Sequence, residues 1–225
     1  NKHVYVQKPL THSIYESRLL ERLAARHQVA TQMGNEGASD DDSAKVVEWI
    51  QRGEIGEIRK VEAFTDRPIW PQGLNPFTVE EEIPETLDWD LFIGPAQMRP
   101  YNSGYTPWNW RGWWDFGTGA LGDMACHILD PVVRGLHLAH PVRLQGSSTL
   151  LLENSAPNAE IVKYVFPKRE DYDTDLMKYP EVEVIWYDGG LQPLKPAGWP
   201  EGKELLTYGG GVIFHGSKDT LVCGS

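Results

Sequence analysis

Apolar positions recur along this chain at two periods. Val4-Tyr5-Val6 is a β-branched and aromatic run that reads as a strand. Ser13 to His27 carries Ile14, Leu19, Leu20 and Leu23 among charges, the pattern of an amphipathic helix. Val29 to Met33 reads as a second strand. A strand, a helix and a strand with short connections form a parallel crossover unit, so residues 1–34 are expected to be the tail of a doubly wound sheet. A new segment opens at Ser39-Asp40-Asp41-Asp42. These residues cap and electrostatically favour the start of a helix that carries Val46, Val47, Trp49 and Ile50 and ends at Gly53.

Ile55 to Thr65 supplies a strand beginning after Gly56, and 68–107 is a proline-rich excursion expected to lie over a site as a surface layer or lid. The spacing then predicts a helix over 120–136 and strands over Val142 to Leu152, Ile161 to Phe166 and Val182 to Tyr187. Gly209 to Ser225 reads as a hairpin, with Val212-Ile213-Phe214 and Thr220-Leu221-Val222 as its arms. Consecutive strands without long intervening helices favour a mainly antiparallel sheet with helices on one side. The chain has no internal repeat.

At 225 residues, 40% hydrophobic and 24% charged, the composition is that of a globular protein with one large domain or one and a half. The formal net charge is −11 and no more than two Lys or Arg residues are adjacent, which argues against a nucleic acid or an anionic membrane as partner. No apolar run reaches membrane-spanning length and no leader peptide is visible. Residue 1 is not Met, the strand at Val4 has no upstream partner and the last hairpin stops on a strand, so the chain is expected to be an excised piece. Cys126 and Cys223 make neither a disulfide framework nor a zinc spacing, and Cys126 is expected to be a small buried hydrophobe.

Residues 108–130 concentrate the candidate chemistry. A Gly-rich turn precedes Asp123 and His127, which on a helix project one turn apart from one face, so a carboxylate can orient or charge the imidazole beside it. Histidine titrates near neutral pH, which suits it to take a proton from a hydroxyl group. Asp123, His127, Asp130 and Arg134 form a polar stripe with a 4, 3, 4 spacing on an otherwise apolar helix, a pattern that a solvated face with an Asp130–Arg134 ion pair would also produce. His137 and His140 could join His127 and Asp123 around a metal, but their spacing matches no ligand motif, and no metal is expected. Tyr101, Tyr105, Trp108, Trp110, Trp113 and Trp114 could stack on sugar faces or serve as core.

Val4-Tyr5-Val6-Gln7-Lys8-Pro9-Leu10, the helix and strand that end at Gly34, Trp110-Arg111, and Gly117-x-Gly119-x-x-x-Asp123-x-x-x-His127-x-x-Asp130 together resemble the Gfo/Idh/MocA family of NAD(P)-dependent oxidoreductases. The resemblance implies a chain of α/β and α+β class. Residues 1–34 would be the remnant of a Rossmann doubly wound sheet. Residues 35–225 would be a C-terminally incomplete substrate-binding and oligomerisation domain, an open, mainly antiparallel sheet with helices on one face.

It also implies a catalytic set of Lys8, Asp123 and His127, with His127 as general base, and cofactor contacts from Gln7, Lys8, Pro9, Asn35, Trp110 and Arg111. The expected cofactor is NAD or NADP, and the expected substrate a carbohydrate or cyclitol whose secondary alcohol gives up a hydride. A homo-oligomer through the C-terminal sheet and a bacterial cytoplasmic or periplasmic location are implied in the same way. Two features depart from the family pattern. Gln7 stands where Glu is usual, and the Gly-x-Gly-x-x-Gly phosphate turn is absent, so this piece alone is expected to bind cofactor weakly and to be inactive. The alternatives are an NAD-dependent glycoside hydrolase or lyase of the same fold, or a non-catalytic assembly fragment.

Overall fold

The computed structural model describes residues 2–11, 13–205 and 209–224, so Ser225 at the end of the expected hairpin lies outside the described residues. Two sheets organise the chain. In the first, β1 (Val4–Gln7) pairs in parallel with β2 (Thr31–Gly34) across α1 (Ile14–His27). The local sequence fixes this crossover. Ser13 and Glu16 form a reciprocal capping box at the start of α1, and Gln28 ends the helix in the left-handed region at φ 51°.

The second sheet has six strands in the order β4 (Arg143–Ser148), β5 (Glu160–Phe166), β6 (Val182–Tyr187), β3 (Ile58–Thr65), β7 (Gly210–Gly216) and β8 (Thr220–Gly224). Only the β3–β6 pair is parallel; the other neighbours are antiparallel, as the run of strands predicts. Alternation selects one face. Val61 and Ala63 of β3, Val184 and Trp186 of β6, and Val212 and Phe214 of β7 pack with Val46 and Ile50 of α2 (Asp41–Gln51). Ile128 of α4 (Gly119–Ile128) and Val132 of α5 (Asp130–Gly135) join the same core, so these helices cover one side of the sheet.

The single helix expected over 120–136 is two helices, separated at Leu129. Pro131 is the reason, since it has no N–H to bond the carbonyl one turn back. Strand β4 is shorter than the 142–152 run and exposed along its length because it is the edge of the sheet. The 68–107 excursion holds its own α3 (Trp89–Ile93). Its second core joins Trp89, Ile93, Tyr101, Tyr105 and Trp113. Cys126 is half-buried rather than fully enclosed.

Candidate active site

The Gly-rich turn before α4 folds the chain back on the segment that carries Arg111. A Cβ on Gly117 would stand 2.5 Å from the Arg111 carbonyl oxygen, and Gly119 takes φ +64° with only 2.5 Å to spare for a Cβ against that of Ala156. The fold-back brings Arg111 to Asp123. Lys8, 115 residues earlier, arrives from the other side at the end of β1, where its N–H bonds to the Gly34 carbonyl at 3.1 Å and extends the parallel pairing.

Lys8 Nζ donates to Asp123 twice, at 2.9 Å to the main-chain carbonyl and 3.1 Å to Oδ1. Arg111 Nε lies 3.5 Å from the same Oδ1. The three side chains are about one-sixth exposed, at 16%, 15% and 19% for Lys8, Asp123 and Arg111, so the ion pairs are screened far less than surface pairs. The guanidinium of Arg111 lies 3.8 Å from the ring centre of Trp108, 4.5 Å from that of Trp110 and 5.8 Å from that of Trp70. Its Nη1 donates to the Trp108 carbonyl at 3.1 Å. Pro9, joined to Lys8 by a cis peptide, lines a cavity of about 270 Å³ with Leu10, Thr11, Trp110, Arg111 and Asp123.

His127 has a different neighbour from the one its spacing predicts. Asp123 and His127 do share a helix face, but the Asp123 carboxylate is taken by the two cations, and His127 Nδ1 lies 3.2 Å from the carbonyl of Glu36. The imidazole borders an adjacent cavity with Glu36, Asp40, Ser43 and Cys223. Asn35, beyond the end of β2, donates through Nδ2 to the Cys126 carbonyl at 2.5 Å, while its Oδ1 is buried with no partner. Gln7 packs over Gly34, where a Cβ would come within 2.5 Å of its Oε1. Pro9, Trp110, Arg111 and Asp123 therefore line one cavity with Lys8 paired to Asp123 beside it, while His127 lies one turn further along α4 and Asn35 meets that turn from beyond the end of β2. Gln7 supports the strand pairing behind them.

Burial pushes the Cys126 thiol up, which leaves it a weak S–H donor to the Asp123 carbonyl at 3.3 Å. Asp130 and Arg134 form the i,i+4 ion pair at 2.6 Å, and Arg134 also reaches Ser43 at 2.8 Å, so this half of the stripe braces α5 against α2. His137 stacks on Tyr172 at 4.2 Å, and among the described residues no three His, Cys, Asp or Glu side chains converge as a metal would require. The aromatic cluster divides: Tyr101, Tyr105 and Trp113 are core, whereas Trp108 and Trp110 hold Arg111. Two participants carried no sequence signal, the carbonyl of Glu36 and Trp70, which reaches Arg111 from inside the irregular excursion.

Residues 54–146 match the sequence model of an oxidoreductase family, in its C-terminal α/β domain. No curated protein matches the chain in sequence. Among solved structures, an NAD-binding oxidoreductase from Klebsiella pneumoniae is 17% identical with a TM-score of 0.58, covering 98% of this chain and 47% of that one. The WlbA dehydrogenase from Bordetella pertussis, in complex with NADH and UDP-GlcNAcA, is 15% identical with a TM-score of 0.54, covering 98% and 50%. A super-repressor mutant of Gal80p from Saccharomyces cerevisiae is 14% identical with a TM-score of 0.58, covering 98% and 47%. These likenesses establish the fold, and the chain spans about half the length of the structures it matches. Among the described residues no helix is long and apolar enough to cross a membrane.

Proposed function

Residues 54–146 carry the C-terminal α/β domain of the Gfo/Idh/MocA oxidoreductase family, and from that premise we propose that this chain is part of an NAD(P)-dependent dehydrogenase acting on a secondary alcohol of a sugar or cyclitol. One observation carries the reading: Lys8, from the end of a parallel strand, meets the Asp123 carboxylate on α4 at 3.1 Å beside a cavity. In open α/β sheets ligands bind outside the carboxyl ends of the strands, which is where Lys8 and Asn35 stand.

The residues fit a nicotinamide cofactor. Asn35 offers a buried Oδ1 that lacks a donor, which suits an amide, and Trp110 separately offers an aromatic surface at the cavity, which suits a flat ring. Gln7, Pro9 and Arg111 complete the contacts that the resemblance assigns to it. When bound, the cofactor supplies the hydride acceptor. In this proposal residues 1–34 belong to the cofactor-binding domain and 35–225 to the substrate domain. The apolar groove among Val4, Val6, Leu20, Leu23 and Val29, open to solvent, supports a β1–α1–β2 unit that packs against further sheet.

Each side chain has a task. A carbonyl only accepts, so the contact with Glu36 keeps the proton on Nδ1 of His127 and leaves Nε2 as the base. The substrate O–H proton passes to Nε2 while the carbinol C–H bond gives up its hydride, and the C–O bond becomes a carbonyl. Lys8 stabilises the negative charge that develops on that oxygen, and Asp123, paired with Lys8 and Arg111, fixes the ammonium in place. The hydrolase or lyase alternative is not favoured.

The test uses the whole dehydrogenase of which this chain is proposed to be part, and follows reduced-cofactor absorbance with NAD or NADP and a panel of hexoses and inositols. Lys8→Met and His127→Asn are each expected to lower kcat by about 100-fold with folding intact. Turnover unchanged in both variants would reject the assignment and leave the assembly-fragment alternative.

A further inference from the structure

His127 offers Nε2 as a base only while an acceptor holds the proton on Nδ1. That acceptor, the Glu36 carbonyl at 3.2 Å, is a main-chain group, and a turn sets its direction. The Ala38 N–H donates to the Asn35 carbonyl at 3.1 Å, which closes a four-residue β-turn over 35–38 directly after β2. Gly37 stands third in the turn at φ +86°, and Glu36, the second residue, is not among those with positive φ. These signs define a type II turn. Types I′ and II′ need a positive φ at the second position, and type I has a negative φ at both.

Types I and II differ by a flip of the peptide between the second and third residues. In type II the Glu36 carbonyl points to one side and the Gly37 N–H to the other, and in type I the two exchange. Here the exchange would set a donor against Nδ1 in place of an acceptor. Nδ1 would then present its lone pair and Nε2 would carry the proton, so Nε2 could not act as base. The start of the turn is pinned independently, because Asn35 Nδ2 donates to the Cys126 carbonyl of α4 at 2.5 Å. The orientation of one peptide is therefore what selects the nitrogen.

We propose that Gly37 is a positioning residue for His127: by holding the turn in type II, it decides which imidazole nitrogen is free to take a proton. The inference rests on the dehydrogenase reading, in which His127 receives the hydroxyl proton, and adds a residue that acts through the imidazole. A Cβ at Gly37 would meet nothing within 4 Å, so a side chain there works through φ rather than through a clash. Asn enters the left-handed region far more readily than Ala, which supplies a matched pair of substitutions.

Nitrogen-15-labelled histidine in the whole dehydrogenase reads the tautomer directly. Long-range proton–nitrogen correlations at about pH 9, where an ordinary imidazole is neutral, show which ring nitrogen carries the proton, and His127→Asn identifies the signal. The parent is expected to carry it on Nδ1. Gly37→Ala should move most of the population to the Nε2-protonated form and lower kcat about tenfold with KM unchanged, the scale of the left-handed penalty of a Cβ. Gly37→Asn should keep the parent's tautomer and most of its kcat. A parent proton on Nε2 would overturn the proposal without any variant. So would a Gly37→Ala protein that keeps the parent's tautomer, or an Asn variant as slow as the Ala one. Turnover is a separate readout. A tautomer that follows residue 37 in a protein that oxidises no alcohol keeps the role of Gly37 and loses the dehydrogenase reading. His127-dependent oxidation with a tautomer indifferent to residue 37 does the reverse.

Discussion

Glu160 and Asp188 meet where β5 begins and β6 ends, and their closeness gives the fold a pH dependence. Burial, followed by the charge of Asp188, pushes the Glu160 pKa up to about 7. Asp188 is fully enclosed and is raised by burial as well, although Trp186 Nε1 at 3.0 Å and the Glu160 amide at 2.7 Å hold its charged form. A carboxyl raised above its ordinary 4.5 contributes stability that is complete below that value and is lost as pH rises through about 7. The Glu160 side chain is only half-buried, so the loss is on the order of 1 kcal/mol. Glu160→Gln should flatten the fall in melting temperature across that range, and a slope matching the parent's would assign the effect elsewhere. At this scale, Asp123 and His127 were legible because helical spacing places them on one face. Lys8 and Arg111 were legible only through the family resemblance, and neither the sharing of Asp123 by both cations nor the Glu36 carbonyl at His127 was, since these contacts arise through chain reversals that no periodicity encodes.

Among the elements, strands were the most legible, because a half-buried strand alternates visibly: Val182, Val184 and Trp186 point to the helices, and Glu183 does not. The helix after Gly119 was harder to delimit. Pro131 marks the break in the sequence, but Leu129 stays near helical angles, so the apolar stripe runs through from α4 to α5 and hides it. Close packing of α5 on α2 depends on Gly135, where a Cβ would stand 2.9 Å from Ile50 Cδ1. Gly135→Val is therefore expected to cost about 1–3 kcal/mol by overpacking, read as a lower denaturant midpoint with an unchanged slope. An unchanged midpoint would show that α5 yields easily.

For the whole molecule, the β1–α1–β2 unit is the lightly attached part. Helix α1 has no buried residue, and the unit meets α4 through Lys8–Asp123, Asn35–Cys126 and Glu36–His127. Lys8→Met should speed amide exchange in β1 and β2 while β3, β6 and β7 keep their protection. Uniform acceleration through both sheets would show instead that the two units open together. The sequence by itself determined which segments are strands and helices, and that one helix face carries an acid and an imidazole, because periodicity and capping are local properties. The tertiary structure decided that Asp123 belongs to two cations rather than to His127, and that Trp70 from the irregular excursion joins the neighbouring Trp108 and Trp110 around Arg111. Charges pair with whatever the folded chain brings within a few ångströms, and that distance is set by sheet order and glycine-permitted turns far from the residues themselves.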